Sequence, residues 1–88
     1  MNRPEPQLSE AAKTLPRGIY EHFRGNRYRL LEIAFNSETL EELVIYEAQY
    51  GDHPIFARPL GSFLETVELE EKIIPRFRFL GNSIDQVQ

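Results

Sequence analysis

The sequence predicts an all-β fold, a small barrel or roll of about five short antiparallel strands. Three observations predict it. Short runs of β-branched and aromatic residues alternate in pattern, and turn signals separate those runs at close spacing. Within the expected folded part, the segment with a helical start signal does not keep its apolar residues on a helical face. A chain of 88 residues makes one domain. The folded part is expected over residues 16–80, between loose tails at 1–15 and 81–88. A domain this small buries only about 60–65% of its unfolded surface. Its six Phe and four Tyr, with no Trp beside them, are therefore core candidates whose individual weight is large.

Residues 1–15, MNRPEPQLSEAAKTL, hold two Pro and little apolar content, and SEAAKTL offers at most one turn of helix capped by Ser9. GIYEHFRGNRYRLL is a hairpin signal, with Gly25-Asn26 as a two-residue turn. In that register opposite partners sum to 51: Phe23 faces Tyr28 and Glu21 faces Leu30 on one side. On the other side Arg24 faces Arg27, His22 faces Arg29 and Tyr20 faces Leu31. The expectation is an apolar face backed by a face of three Arg and a His. Like charges directly opposite are unfavourable, so that face needs either acids of its own chain or an anionic ligand.

NSETLEELVIYEA admits two readings. Thr39 and Glu42 fit a helical capping box, but Ile45 and Tyr46 fall off the helical face. As a strand from about 43 to 50 the segment alternates, with Val44, Tyr46, Ala48 and Tyr50 on one side, and the strand reading is preferred. NSETLE then becomes the turn from a strand around 27–35, with Asn36, Ser37 and Thr39 bonding to nearby backbone amides. YGDHP is the next turn, and His53, preceding Pro54, is pushed towards extended geometry. IFAR is a short strand ended by Pro59. A short 3₁₀ turn is expected near 61–66, with Phe63 and Val67 inward, and ELEEKI reads as an exposed connection. PRFRFL alternates, placing Phe77 and Phe79 inward and Arg76 and Arg78 outward.

The segments GIYEHFRGNRYRLL, SETLEELVIY, YGD, ARPLGSFLETV and PRF, taken together in this order, resemble a small bacterial family known as domain of unknown function 1653. The resemblance covers about residues 16–80 and implies an SH3-like β-barrel with no established activity. Three positions depart from the family pattern: Asn36 stands where His is usual, Phe56 where Trp is usual, and Ser62 where Met is frequent. The first departure removes a group able to bind a metal or move a proton.

Composition narrows the function classes. With no Cys there is no disulfide framework, thiolate metal site or cysteine nucleophile, which suits a reducing compartment. No signal-peptide pattern and no apolar run near the length of a membrane span occur, so a soluble cytoplasmic protein without a membrane partner is expected. The net charge is −4 and unevenly spread: Arg17 to Leu30 carries +3, and Glu38 to Glu71 carries −8. That is either ordinary solvated surface or a bipolar module with one basic face.

No catalytic, cofactor or metal site is expected. Ser37 or Thr39 with His22 or His53 and Asp52 supplies triad residue types, but turn capping already accounts for the hydroxyls. Two His 31 positions apart are not a ligand set, and RGN is a hairpin turn rather than a phosphate loop. The candidates are binding residues: Tyr20, His22, Arg24, Arg27 and Arg29 of the hairpin, Ser37 and Glu38 of the turn, Tyr50, and Arg58. Arg58 is either paired with an acid of the 65–71 run or an anchor for a partner's carboxylate or phosphate. The expected function is a non-enzymatic protein or peptide interaction module. Its groove would lie between the hairpin, the 36–39 turn and the 50–58 region. The alternative is nucleic-acid binding through the basic hairpin face, against which the acidic remainder weighs, and an enzyme is the third reading.

Overall fold

The computed structural model describes residues 5–83. The strands are β1 (Gly18–His22), β2 (Arg27–Phe35), β3 (Glu42–Ala48), β4 (Ile55–Pro59), β5 (Thr66–Leu69), β6 (Lys72–Pro75) and β7 (Phe77–Gly81). Two single-turn helices accompany them, α1 (Glu10–Thr14) and α2 (Leu60–Phe63). Five strands form one antiparallel sheet in the order β4-β3-β2-β1-β7, and β5 and β6 form a separate two-stranded ribbon. The fold is therefore all-β and barrel-like, as the alternation predicts. Two strands more than expected appear because ELEEKI is not a connection but a hairpin. Leu69 pairs with Lys72, and Glu70 and Glu71 both take positive φ, 52° and 67°. Such a turn normally announces itself by Asn or Gly; two Glu gave no signal. Among the described residues no helix is long and apolar enough to cross a membrane.

The first hairpin has a different register from the two-residue expectation. Glu21 pairs with Arg27, Tyr20 with Tyr28, Ile19 with Arg29 and Gly18 with Leu30, so partners sum to 48. The loop is three residues, Phe23-Arg24-Gly25, closed by His22 N–H to the Asn26 carbonyl at 2.8 Å and Gly25 N–H to the His22 carbonyl at 2.7 Å. Gly25, at φ +107°, sits where a three-residue loop needs a residue of positive φ. The change from an even to an odd loop turns every side chain of β1 over relative to those of β2. The expected face of Arg24, Arg27, Arg29 and His22 is consequently not formed.

β2 to β3 matches its prediction closely. Asn36 Oδ1 accepts from the amides of Glu38 and Thr39 at 2.9 and 3.1 Å, and Thr39 Oγ1 accepts from Glu41 N–H at 3.2 Å. Ser37 is exposed and makes no such bond. Leu40 closes the turn at φ +62°. His53 departs from the expected extended backbone, at φ +58°, because a turn bond from its N–H to the Tyr50 carbonyl (3.1 Å) sets the chain direction before Pro54.

The expected loose N-terminal tail is partly structured: residues 10–14 are helical and docked. Ser9 Oγ accepts from Ala12 N–H at 3.2 Å and donates to Glu42 Oε1 at 2.8 Å, while Ser9 N–H donates to Glu42 Oε2 at 2.7 Å. Ala12 and Leu15 are buried against the sheet's core. The isolated turn is marginal, and this packing supplies what propensity does not. The tail predictions at 1–4 and 84–88 lie outside the described residues.

The core is made by Tyr20, Leu30, Ile33, Val44, Tyr46, Leu60, Phe63 and Phe77 with Ala12 and Leu15. α2 is one α-helical turn over Leu60–Phe63 rather than a 3₁₀ turn near 61–66, and it drives Phe63 onto Phe77 in a stacked pair, 4.2 Å between centroids. Phe77 is buried as expected, but Phe79 is 38% exposed, because β7 is an edge strand and Phe79 covers only the Tyr20 ring at 5.3 Å. Gly18 permits the β1–β7 contact: a Cβ there would lie 2.4 Å from the Gly81 carbonyl oxygen, at a backbone φ of +141°.

Candidate functional site: the uncovered end of the aromatic face

Residues directly opposite in neighbouring strands share a face. The pairs His22–Phe77, Tyr20–Phe79, Tyr20–Tyr28, Leu30–Tyr46, Tyr46–Phe56 and Val44–Arg58 therefore define one face of the sheet. Glu21–Arg27, Glu21–Arg78, Arg29–Glu47 and Glu47–Ile55 define the other. The first is the core face. The α1 and α2 turns cover one part of it, through Ala12, Leu15, Leu60 and Phe63. The remainder, around His22, Tyr28, Tyr50, Phe56 and Arg58, is left half-buried or open, with Tyr50 41% and Phe56 40% exposed.

This open end is a continuous set of rings. Tyr28 meets Tyr46, Tyr50, Phe56 and Phe77 edge-on at 5.3, 5.7, 6.2 and 5.8 Å, and Tyr46 lies 5.6 Å from Phe56. The Tyr28 and Tyr50 hydroxyls share a 2.9 Å hydrogen bond. Burial and that bond push the Tyr28 phenol up to about 12. The Tyr20 hydroxyl donates to the Pro16 carbonyl at 2.6 Å, and burial raises this phenol also to about 12. Tyr20 is thus a core residue, not an accessible one.

Arg58 enters this set from β4. Its Nε donates to the Tyr46 hydroxyl at 3.1 Å and its Nη1 to Ser62 Oγ at 2.9 Å, with the guanidinium 5.7 Å from the centre of the Phe77 ring. The acid of the 65–71 run that was a candidate partner, Glu65, pairs with Arg76 instead at 3.6 Å. Among the described residues no carboxylate oxygen lies within 4.0 Å of Arg58. His22 approaches the same Phe77 ring, at 5.0 Å, and leans on Phe23 at 4.4 Å. Burial first, then the charges of Arg58, Arg76 and Arg24, hold its imidazole below the ordinary histidine range. Arg76, expected outward, is mostly covered: its main chain bonds to the Glu65 carbonyl and accepts from Phe23 N–H, both at 2.9 Å, and its Nε is buried with no hydrogen-bond partner.

The other predicted residues divide differently. Arg27 and Arg78 flank Glu21 on the outer face, at 3.6 and 2.9 Å, holding that carboxyl below its usual range, the Arg78 hydrogen bond first. Arg29 stands across from Glu47, and Arg24 is exposed at the loop tip over the Phe23 ring. Ser37 and Glu38 sit at the far end of β2, a nine-residue strand of roughly 26 Å. They do not join the hairpin loop, His22 or His53, which is tied to the near end by its ring nitrogen on the Ala48 carbonyl at 2.9 Å. A groove spanning the hairpin, the 36–39 turn and the 50–58 region is therefore not formed. Sequence reading missed Tyr28, Phe56 and Arg76 as members of the open end. The β3–β4 pairing that joins Phe56 and Arg58 to Tyr46 and Val44 places Phe56 there, and the β2–β3 pairing of Tyr28 with Ala48 places Tyr28.

Beside this end, a cleft of about 210 Å³ lies between the hairpin loop and β6, lined by Glu21, His22, Phe23, Ile74, Pro75 and Arg78. It is small against pockets that enclose an organic ligand, about 300–1,000 Å³. Among the described residues no three His, Asp or Glu gather as a metal-holding group.

The sequence pattern of the family described as "Protein of unknown function (DUF1653)" matches residues 18–79. The crystal structure of a DUF1653 protein from Bordetella bronchiseptica is similar, with a TM-score of 0.75 and 32% identity, covering 81% of this chain and 94% of that one. No curated protein matches the chain. The match runs from the start of β1 into β7, across the ribbon between them, and on that ground the chain belongs to the DUF1653 family.

Proposed function

We propose that this protein is a cytoplasmic, non-enzymatic binding module of SH3-like type that takes a peptide segment of a protein partner on the open end of its aromatic face. The supporting observation is that the two short helices cover one part of this face and leave Tyr50 and Phe56 exposed beside a half-buried Tyr28. Aromatic rings supply much contact area for little lost side-chain freedom, and small folds commonly receive peptides on such rows. Phe56 lies on β4, an edge strand of the sheet, and Tyr50 in the turn that leads to it, where an extended segment has access. The absence of Cys suits a reducing compartment.

The test is retention from lysate by the immobilised protein, with nuclease-treated and untreated samples compared, against a Tyr50→Ala, Phe56→Ala variant. The expected result is a protein retained in both samples by the parent chain and lost with the variant. Retention that disappears with nuclease, or that the double variant keeps, overturns the reading. Nuclease sensitivity with a steep fall in affinity as salt rises would instead support the nucleic-acid alternative.

A further inference from the structure

Arg58 pairs with no acid among the described residues. Two of its nitrogens are fixed by neutral acceptors, the Tyr46 hydroxyl and Ser62 Oγ, and its third, Nη2, has no partner among the described residues. Neutral acceptors orient a guanidinium without cancelling its charge. The Arg58 guanidinium carbon lies over the Phe77 ring, 5.7 Å from the centre, and the His22 ring meets the same ring at 5.0 Å and 76°. Immediately before Phe77, Arg76 buries an Nε that donates to nothing. A buried donor without a partner costs free energy, and a second positive side chain nearby adds to the cost. An oxyanion arriving at Arg58 would supply the countercharge that no acid of the described residues gives it, whereas Arg76 already has Glu65 at 3.6 Å.

We infer that Arg58 and His22, which meet at the Phe77 ring, form an oxyanion site at the open end of the aromatic face, taking a carboxylate or phosphate group carried by the bound peptide. This rests on the peptide-binding reading and deepens it by naming the group recognised. The planar fork of Arg58 suits either oxyanion. His22 adds a donor and, once protonated, a charge. The groups facing it are Arg24 from the loop, Tyr28 from β2, Arg58 from β4 and Arg76 beside β7. In the free protein burial first, and then those cations, oppose its protonation; a bound oxyanion offsets the cations, so binding takes up a proton and tightens as pH falls.

The test is NMR titration of the whole chain with inorganic phosphate, with sodium acetate, and with sodium chloride at matched ionic strength. The Arg58 Nε–H and His22 ring signals are followed. The expected result is saturable shifts at both groups with phosphate, acetate or both, absent with chloride. Arg58→Gln should weaken binding about tenfold or more, in line with loss of a charge-assisted pair. Arg58→Lys, which keeps the charge and loses the fork, should retain part of the response if Arg58→Gln proves unstable. Saturation with acetate alone identifies a peptide carboxylate, and with phosphate alone a phosphorylated side chain. Shifts that never saturate, that chloride reproduces, or that Arg58→Gln leaves unchanged overturn the site. That outcome leaves the peptide reading standing if retention still depends on Tyr50 and Phe56; loss of retention dependence with saturable phosphate shifts overturns the peptide reading and keeps the anion site.

Discussion

The two faces of the five-stranded sheet hold positive charge in opposite ways. On the outer face Glu21 lies between Arg27 and Arg78, at 3.6 and 2.9 Å, and Arg17 meets Glu32 at 3.1 Å. These pairs are solvated, and such pairs contribute little, typically about 0–1 kcal/mol each. On the inner face Arg58 has a phenol, a serine hydroxyl and an aromatic ring but no carboxylate. The difference teaches where a ligand would be felt. An anion reaching the outer face competes with acids already in place, whereas one reaching the inner face meets an unneutralised cation in a half-buried setting where charge is poorly screened.

The comparison fails if the inner face is not the structural centre, and that is the largest effect to test. Phe77 is buried, stacks on Phe63 and supports both Arg58 and His22. Phe77→Ala should cost about 3–5 kcal/mol, as truncation of a buried Phe generally does. That is much of the roughly 5 kcal/mol available to a small domain. Phe79→Ala, at the exposed edge, should cost clearly less. Denaturant melts measure both, and equal losses would mean that β7 does not present Phe77 alone to the core.

The same two faces show what was legible in the sequence. Strand positions from 27 to 59 were legible, because Glu42–Ala48 alternates and the Asn36 turn before it has its capping chemistry in the chain. The hairpin face was not, because FRGN permits a two-residue or a three-residue loop, and one residue of difference turns each side chain to the other face. Charge runs misled in the same way. Arg27 belongs to the basic stretch and has an acid beside it; Arg58 lies in the acidic stretch and has none. Which acid meets which base is decided by strand pairing across the sheet, which a count along the chain does not contain. The ribbon of β5 and β6 was illegible for a local reason, a turn of two Glu in a backbone shape that usually calls for Gly or Asn.

A second test uses the phenols of the inner face. Tyr20 and Tyr28 are held near 12, chiefly by burial, against about 10 in an unfolded chain. The unfolded state therefore loses its phenolic protons first, and the folded protein should lose stability as pH rises from about 10 towards 12. Ultraviolet titration should show a late phenolate step that moves to lower pH on unfolding in denaturant. A titration identical in folded and unfolded protein would show that these rings are solvated.

His22 sharpens the contrast at milder pH. Its folded value lies below the ordinary 6.5 through burial and the charges of Arg58, Arg76 and Arg24. Below 6.5 the unfolded chain takes up this proton before the folded one does, so its contribution to stability should decline on acidification from about pH 7, levelling off below the folded value. His22→Gln should flatten the pH dependence of the melting midpoint in that window, and an unchanged slope would place the ring outside the influence of those arginines.

The smallest effect belongs to the outer face. Glu21 is held below its usual range by the Arg78 hydrogen bond first, with Arg27 adding to it. A depressed carboxyl contributes stability above about pH 4.5 that is lost as pH falls through its folded value, a window below that of His22. Glu21→Gln should therefore lower stability at pH 7 by under about 1 kcal/mol, since both arginines keep access to water, and the loss should shrink as pH falls through the folded value. It should also leave oxyanion shifts at Arg58 unchanged, because the carboxyl lies on the opposite face of the sheet. Melts of the parent and variant at pH 7 and pH 3, with the phosphate titration repeated on the variant, measure each part. A Glu21→Gln loss of several kcal/mol, or a shift in phosphate affinity at Arg58, would mean that the two faces share one electrostatic network and that the distinction between them does not hold.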